Sequence, residues 1–392
     1  MEPIYLDYNA TTPVDPAVAQ AMLPYIHQHF GNPSSGHIYG QRARSAVDTA
    51  RHQVAALLGC RDEEIIFTSG GTEANNYAIK GVIGASRQKG NHIITSAVEH
   101  PAVIEVCRFL EAKGCRVTYL PVDGYGLVDP QQVQDALTAQ TVLITIMHAN
   151  NEVGTIEPVR EIADIAHRHG ILMHTDCAQS IGKLPVTVDQ LGVDLLSLAG
   201  HKLYAPKGIG VLYSRQGVEL EKLIHGANHE RNWRAGTENV IEIVGLGQAC
   251  ELIHQNLPAY QEHLRQMRDR LEQRLRDCFP GLRINGHPQH RLPNTCSVSF
   301  QGVAASTVLA QMAGVAASAG AACHSDRVEV SSVLEAMQVP LEYAMGTIRL
   351  SVGRYTTAAE IDRAVAEIAR AVDAHRTTAR TTGARTISSL GD

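Results

Sequence analysis

Between residues 64 and 199, short apolar runs alternate with stretches of helical spacing, and this constrains the fold more than any other feature of the chain. Runs at 64–68, 92–96, 116–120, 141–147, 171–176 and 193–199 are each of strand length; stretches near 101–113, 130–138 and 158–169 carry the helical period. Strands that return through helical crossovers run parallel, and a parallel sheet needs cover on both faces. The expected fold class is therefore α/β, with a large domain built on a mostly parallel central sheet. From 259 to 279, Leu264, Met267, Leu271, Leu275 and Cys278 recur at three- and four-residue steps, an amphipathic helix leading into a smaller C-terminal α/β domain. The last helix opens with a capping box, Thr357 to Glu360, and buries Ile361, Val365, Ile368 and Val372. The expected boundaries are 15–258 for the large domain, 1–14 with 259–375 for the small one, and a flexible tail at 376–392.

Chemistry gathers where the apolar runs stop. Val193–Ala199 breaks at Gly200 and is followed by His201 and Lys202; Ile171–Asp176 ends in a carboxylate. A lysine at the end of a buried strand loses hydration, which favours the neutral amine that Schiff-base chemistry needs. If the two strands are parallel neighbours, Asp176 and Lys202 emerge together at the carboxyl edge, where open α/β sheets bind ligands. A carboxylate beside such a lysine is the pair that pyridoxal phosphate requires, the acid facing the pyridine nitrogen and the amine carrying the aldehyde. An ordinary Asp–Lys ion pair is the alternative.

Ser69-Gly70-Gly71-Thr72 lies between a strand and a helix, a turn that aims free N–H groups at an anion, though any βα unit has such a turn. His100 sits between strand and helix, either facing a ligand or capping the helix; Asn150 and Asn151 end another strand. Arg349 can clamp a carboxylate or form a structural salt bridge. Of eight cysteines, Cys323 alone has a functional setting, among small residues before a polar loop; Cys177 follows Asp176 and alternation turns it into the core.

The cysteines lack disulfide-like or CxxC spacing, as in a reducing compartment, and no Cys/His cluster suggests a metal site. Net charge is −6, with no basic patch for a nucleic acid, and no apolar run can span a bilayer. A cytoplasmic protein with no nucleic-acid or membrane partner is expected.

With these residues assembled, the chain resembles the cysteine desulfurases of the NifS/IscS group, in the class V aminotransferase family of fold-type I pyridoxal-phosphate enzymes. The likeness runs from Tyr5 to Arg354 through Phe67–Asn75, Glu99-His100-Pro101, Asn150–Gly154, His174–Lys183, Gly200–Gly208, Arg234–Asn239 and Ala317–Ser325. It implies that Lys202 bears pyridoxal 5'-phosphate, Asp176 faces its ring nitrogen and His100 stacks on the ring. Gln179 and Asn151 would contact the phenolic oxygen or the substrate. Gly71, Thr72 and His201 would hold the phosphate, with Thr237 reaching in from a second subunit of a homodimer. Arg349 would take the substrate carboxylate, and Cys323 would accept sulfur from L-cysteine as a persulfide, for delivery to an acceptor protein. Departures are Ala199, where the group usually has a phosphate-binding serine, Ala205 before Pro206, and Gly-Ala-Ala-Cys-His-Ser-Asp at the cysteine. The last, with Arg291–Cys296 and Glu230-Arg231-Asn232, is similar to selenocysteine lyase, which releases selenide and L-alanine from L-selenocysteine.

Overall fold

The computed structural model describes residues 2–86, 88–324 and 327–388, without the side chains of 321–329 and 378–388. A seven-stranded sheet organises the first two-thirds. Its strands are β2 (Ile65–Thr68), β3 (His92–Ser96), β4 (Arg116–Leu120), β5 (Thr141–Thr145), β6 (Leu172–Asp176), β7 (Leu195–Ala199) and β8 (Gly210–Ser214), in the order β2-β8-β7-β6-β5-β3-β4. All neighbours are parallel except β8, which runs against both β2 and β7. Strands β6 and β7 are parallel neighbours in register, Asp176 beside Ser197.

Helices cover both faces because the strands are apolar on both. On one side Ile66, Ile93, Leu143, Leu195 and Leu212 meet the helices Gly71–Ala85 and Pro101–Glu111 through Tyr77, Ile79, Val103 and Val106. On the other, Met173, Leu196, Leu198 and Val211 meet the helices Ile38–Leu58 and Val159–Arg168. Cys177 lies in this second cluster, fully buried, on the opposite side from Asp176.

The long helix Val240–Cys278 begins well before residue 259 and serves both halves of the chain. Ile243, Leu246 and Ile253 join the core of the large sheet; Leu264, Leu271 and Leu275 join a separate apolar cluster under a four-stranded antiparallel sheet. That sheet consists of β9 (Arg283–Asn285), β10 (Thr295–Ser299), β12 (Ser318–Ala319) and β15 (Thr347–Ser351), in the order β12-β15-β10-β9. Its two faces differ in kind. Cys296, Val298, Ile348 and Leu350 point into the apolar cluster, whereas Ser297, Ser299, Thr347 and Ser351 are buried on the other side, with Asn285 bonded to Ser297 and Ser299. The N-terminal strand β1 (Ile4–Tyr5) pairs parallel with β11 (Val315–Ala316), bringing residues 7–12 across to the large sheet. Strands β13 (Ala321–His324) and β14 (Arg327–Val330) form a hairpin that carries Cys323 opposite Val328.

The capping box at Thr357 and Glu360 forms, and Ile361, Val365, Ile368 and Val372 are buried as expected. The helix then differs from the expected tail: it continues from Ala358 to Ser388, past residue 376. Arg376, Arg380 and Arg385 with Ala379 and Ala384 favour helix there against five threonines and a glycine, and the Thr377 hydroxyl bonds back to the Asp373 carbonyl instead of breaking the turn. Among the described residues no helix is long and apolar enough to cross a membrane.

Candidate active site

A cavity of about 370 Å³ opens at the carboxyl edge of the large sheet. Gly71, Thr72, His100, Asn151, Asp176, Gln179, His201, Lys202 and Arg349 all line it. Residues spread over most of the chain thus converge because β3, β6 and β7 end at one edge and β15 faces that edge from the second sheet.

Lys202 ends a short 3₁₀ turn, Gly200–Lys202, that β7 enters directly. Gly200 is required there, since a Cβ would come within 2.8 Å of the Ile209 side chain. The Lys202 amine donates to the carbonyls of Asn9 at 2.5 Å and Ala10 at 2.7 Å, and makes no ion pair with Asp176. Burial and the Arg349 charge pull its pKa down to about 8, against the opposing pull of Asp176 and Asp7. Asp176, 6% exposed, accepts from Asn75 Nδ2 at 2.7 Å and from the Ala178 amide at 2.9 Å. Both donors are neutral, so no ion pair occupies this carboxylate.

The helix Gly71–Ala85 starts at the cavity, with Gly70 at φ +151° opening it. A Cβ on Gly71 would lie 3.2 Å from the Ala199 Cβ, so these two small residues set the width at this end. His100 satisfies both of its alternatives: it lines the cavity, and its Nδ1 accepts from the Ala102 amide at 3.1 Å, capping the helix Pro101–Glu111. In the neutral ring the proton therefore sits on Nε2. Desolvation holds its pKa below the usual imidazole value, opposed by Asp176 and assisted by Lys202. His201, beside Thr11 Oγ1 at 3.1 Å, is lowered to about 4 by burial and then by Lys202. Gln179 is oriented from both ends: Nε2 donates to the Asn9 carbonyl, and Oε1 accepts from the buried Lys183 at 2.7 Å.

Among the expected residues whose side chains are described, one is not in this wall. Thr237 does not line the cavity of its own chain. Cys323 has its backbone in β13, and its side chain lies outside the described residues. The other thiols narrow the field. Burial pushes Cys60, Cys107, Cys177, Cys250 and Cys296 each up to about 12, which keeps them protonated.

Asn9 and Asn75 were not singled out from the sequence. Asn75 lies one helical turn into Gly71–Ala85 and positions Asp176. Asn9 joins both sheets: its side chain bonds the Asn151 carbonyl, Thr295 and Asn294, and its carbonyl takes Lys202 and Gln179. The only local signal for it was the polar turn that holds it, Asp7–Pro13.

The model of the aminotransferase class-V family matches residues 4–364. The chain belongs to that family. Its class-V relatives include a cysteine desulfurase IscS of Dictyoglomus turgidum, 48% identical over 380 residues, 95% of each chain. Among solved structures, a NifS-like protein superposes with a TM-score of 0.89 at 37% identity, over 94% of this chain and 98% of that one. A second solved structure, SspA in complex with cysteine, has a TM-score of 0.76 at 36% identity, over 90% of this chain and 100% of the other.

Proposed function

We propose that this class-V protein is a pyridoxal-phosphate-dependent cysteine desulfurase, converting L-cysteine to L-alanine and passing the sulfur to Cys323 as a persulfide. The observation that carries this reading is the shared cavity. An unpaired carboxylate, a neutral-prone amine and an arginine line one space, which a helix N-terminus also borders.

These residues fit the cofactor. Asp176, bonded only by neutral donors, suits a protonated ring nitrogen. The start of Gly71–Ala85, with Thr72 and His201, suits a phosphate. The fit is narrower in one respect, because Ala199 contributes no hydroxyl. Bound there, the cofactor supplies an electron sink for the substrate α-carbon. Lys202 would hold the cofactor and, once freed, take the α-proton on its amine, a role suited to a pKa near 8. His100, neutral with its proton on Nε2, would lie against the ring. Gln179 and Asn151 would contact the phenolic oxygen or substrate, and Arg349 would grip the α-carboxylate. Cys323 would attack the substrate sulfur, so that an S–S bond forms as the Cβ–S bond breaks. We further propose that Thr237 completes the site of a second copy in a homodimer, that the boundaries near 15, 258 and 375 mark the two domains, and that the protein works in the cytoplasm. An acceptor protein would then take the persulfide.

The test is incubation of the purified protein with L-cysteine or L-selenocysteine, measuring L-alanine and the mass of the Cys323 peptide. Added sulfur on that peptide is expected, and Cys323→Ala should lose sulfur transfer from L-cysteine by at least about 100-fold while keeping its visible absorbance. Full desulfurase turnover by that variant would remove Cys323 from the reaction. Turnover of L-selenocysteine alone would favour the selenocysteine-lyase reading that the Cys-His-Ser-Asp run supports.

A further inference from the structure

Arg349 sits where the two sheets meet, and its donors can be accounted for one by one. A guanidinium offers five N–H groups in a planar fork. Both hydrogens of Nη2 are committed, to Asp7 Oδ1 at 2.8 Å and to Ser318 Oγ at 3.0 Å. Nη1 donates to the Asn151 carbonyl at 3.2 Å, and Nε is buried without an acceptor. The Ser318 hydroxyl donates onward to Asp7 Oδ2 at 2.9 Å, closing a three-membered ring of side chains.

A carboxylate is gripped firmly by two parallel N–H groups on one edge of the fork. The edges able to do this are Nε with Nη2, and Nη1 with Nη2. Both include Nη2, so neither is free while the ring with Asp7 and Ser318 is closed. The ring is anchored on each side. Asp7 is fixed by a parallel bridge to Ser351, and Ser318 stands opposite Arg349 in the β12–β15 ladder. The Asp7 and Arg349 side chains are only 17% and 13% exposed, which limits solvent screening.

We infer that Asp7 is a built-in competitor for the substrate carboxylate: an amino acid gains its two-point hold on Arg349 only as the Asp7–Ser318 ring opens. Asp7 is thus a residue that sets substrate affinity from outside the cavity wall. This rests on the assignment of Arg349 as the carboxylate ligand. Weaker holding of substrate and product alike lets the product leave and raises KM without a matching loss of kcat.

The holoenzyme is titrated calorimetrically with L-alanine and, in parallel, with ethylamine, which is alanine without its carboxylate. Asp7→Asn keeps an acceptor of the same shape and removes the charge. It should bind L-alanine about tenfold more tightly and lower KM for L-cysteine by a similar factor, with ethylamine binding unchanged. Ser318→Ala, which opens the ring but keeps Asp7, should tighten L-alanine binding about twofold. If Asp7→Asn fails to fold, Asp7→Ser carries the same expectation as Asp7→Asn. Unchanged or weaker L-alanine binding, in a variant whose melting temperature and ethylamine binding match the parent, overturns the inference. Arg349→Ala separates the two levels: undiminished L-alanine affinity there would dismiss Arg349 as the carboxylate ligand, whatever Asp7 does.

Discussion

The two sheets deliver chemistry to the cavity by different routes. In the seven-stranded sheet the polar groups that line the cavity lie at or just beyond strand ends. Asp176 is the last residue of β6, Lys202 comes three residues after β7, and His100 follows β3. In the four-stranded sheet Arg349 is the middle residue of β15 and reaches the cavity by side-chain alternation alone. A parallel sheet buries its strands on both faces, so polar groups inside a strand must bond one another, as His174 does with Thr145 and Ser197, and groups open to a ligand lie where a strand stops. An antiparallel sheet can reserve a whole face, and here that face is polar yet buried, with Ser297, Ser299, Asn285 and Thr347 bonding one another. The first route places titratable groups at the cavity, and burial lowers the pKa of Lys202 and His100 among them. The second makes a positioning surface of groups that do not titrate near neutrality.

The largest expected break in that comparison comes at Lys202. Lys202→Ala should lower turnover at least about 10³-fold and remove the visible absorbance, while leaving the melting temperature close to the parent's, because the amine bonds only two carbonyls. A folded variant that keeps the colour and turns over cysteine would detach the strand-end amine from the chemistry.

A middle-sized effect sharpens the contrast between titrating and non-titrating interiors. His174, wholly buried in β6 between Thr145 and Ser197, is lowered to about 3 by burial; His92 and His148 are lowered to about 4. The unfolded chain protonates these rings near pH 6.5 and the folded one does not, so their stabilising contribution is present above pH 6.5 and is lost as pH falls from 6.5 toward 4 and below. His174→Gln should therefore lose less stability than the parent between pH 7 and pH 5, by about 2 kcal/mol in denaturant unfolding. Equal losses in both proteins would show that this histidine does not govern the acid sensitivity of the large sheet.

The smallest effect belongs to Ala199, at the end of β7 and against Gly71. Ala199→Ser adds one hydroxyl at the end of the cavity assigned to the phosphate and should tighten pyridoxal-phosphate binding several-fold, about 1 kcal/mol, by equilibrium dialysis. A weaker complex would mean that the width beside Gly71 matters more than the extra bond.

Much of the large sheet was legible because its signals are local. Strands at 92–96 and 116–120 fall where the apolar runs ended, and 141–145, 172–176 and 195–199 are shortened by one or two residues. The antiparallel β8 was missed, since no local pattern separates one strand direction from another and it is flanked by glycines. Strands β9 and β12 are only three and two residues long, too short to show a period, while β10 does alternate polar and apolar residues from Thr295 to Ser299 but within a single five-residue run. For the site, Lys202, Asp176, His100 and Arg349 could be named because each adjoins or interrupts an apolar run. Asn9 could not, because its partners Asn151, Thr295 and Asn294 lie 142 to 286 positions away.

The sequence by itself therefore determined the layered α/β class, the strand ends at which reactive groups could appear, and the identity of the lysine and carboxylate that end them. These follow from periodicity and from the cost of burying charge, which act over a few residues. Only the tertiary structure decided that Lys202 is held by backbone carbonyls instead of Asp176, that one polar face of a small sheet supplies Arg349, and that Asp7 is paired with that arginine. Such pairings depend on distances between segments far apart in the chain, and no local pattern records them.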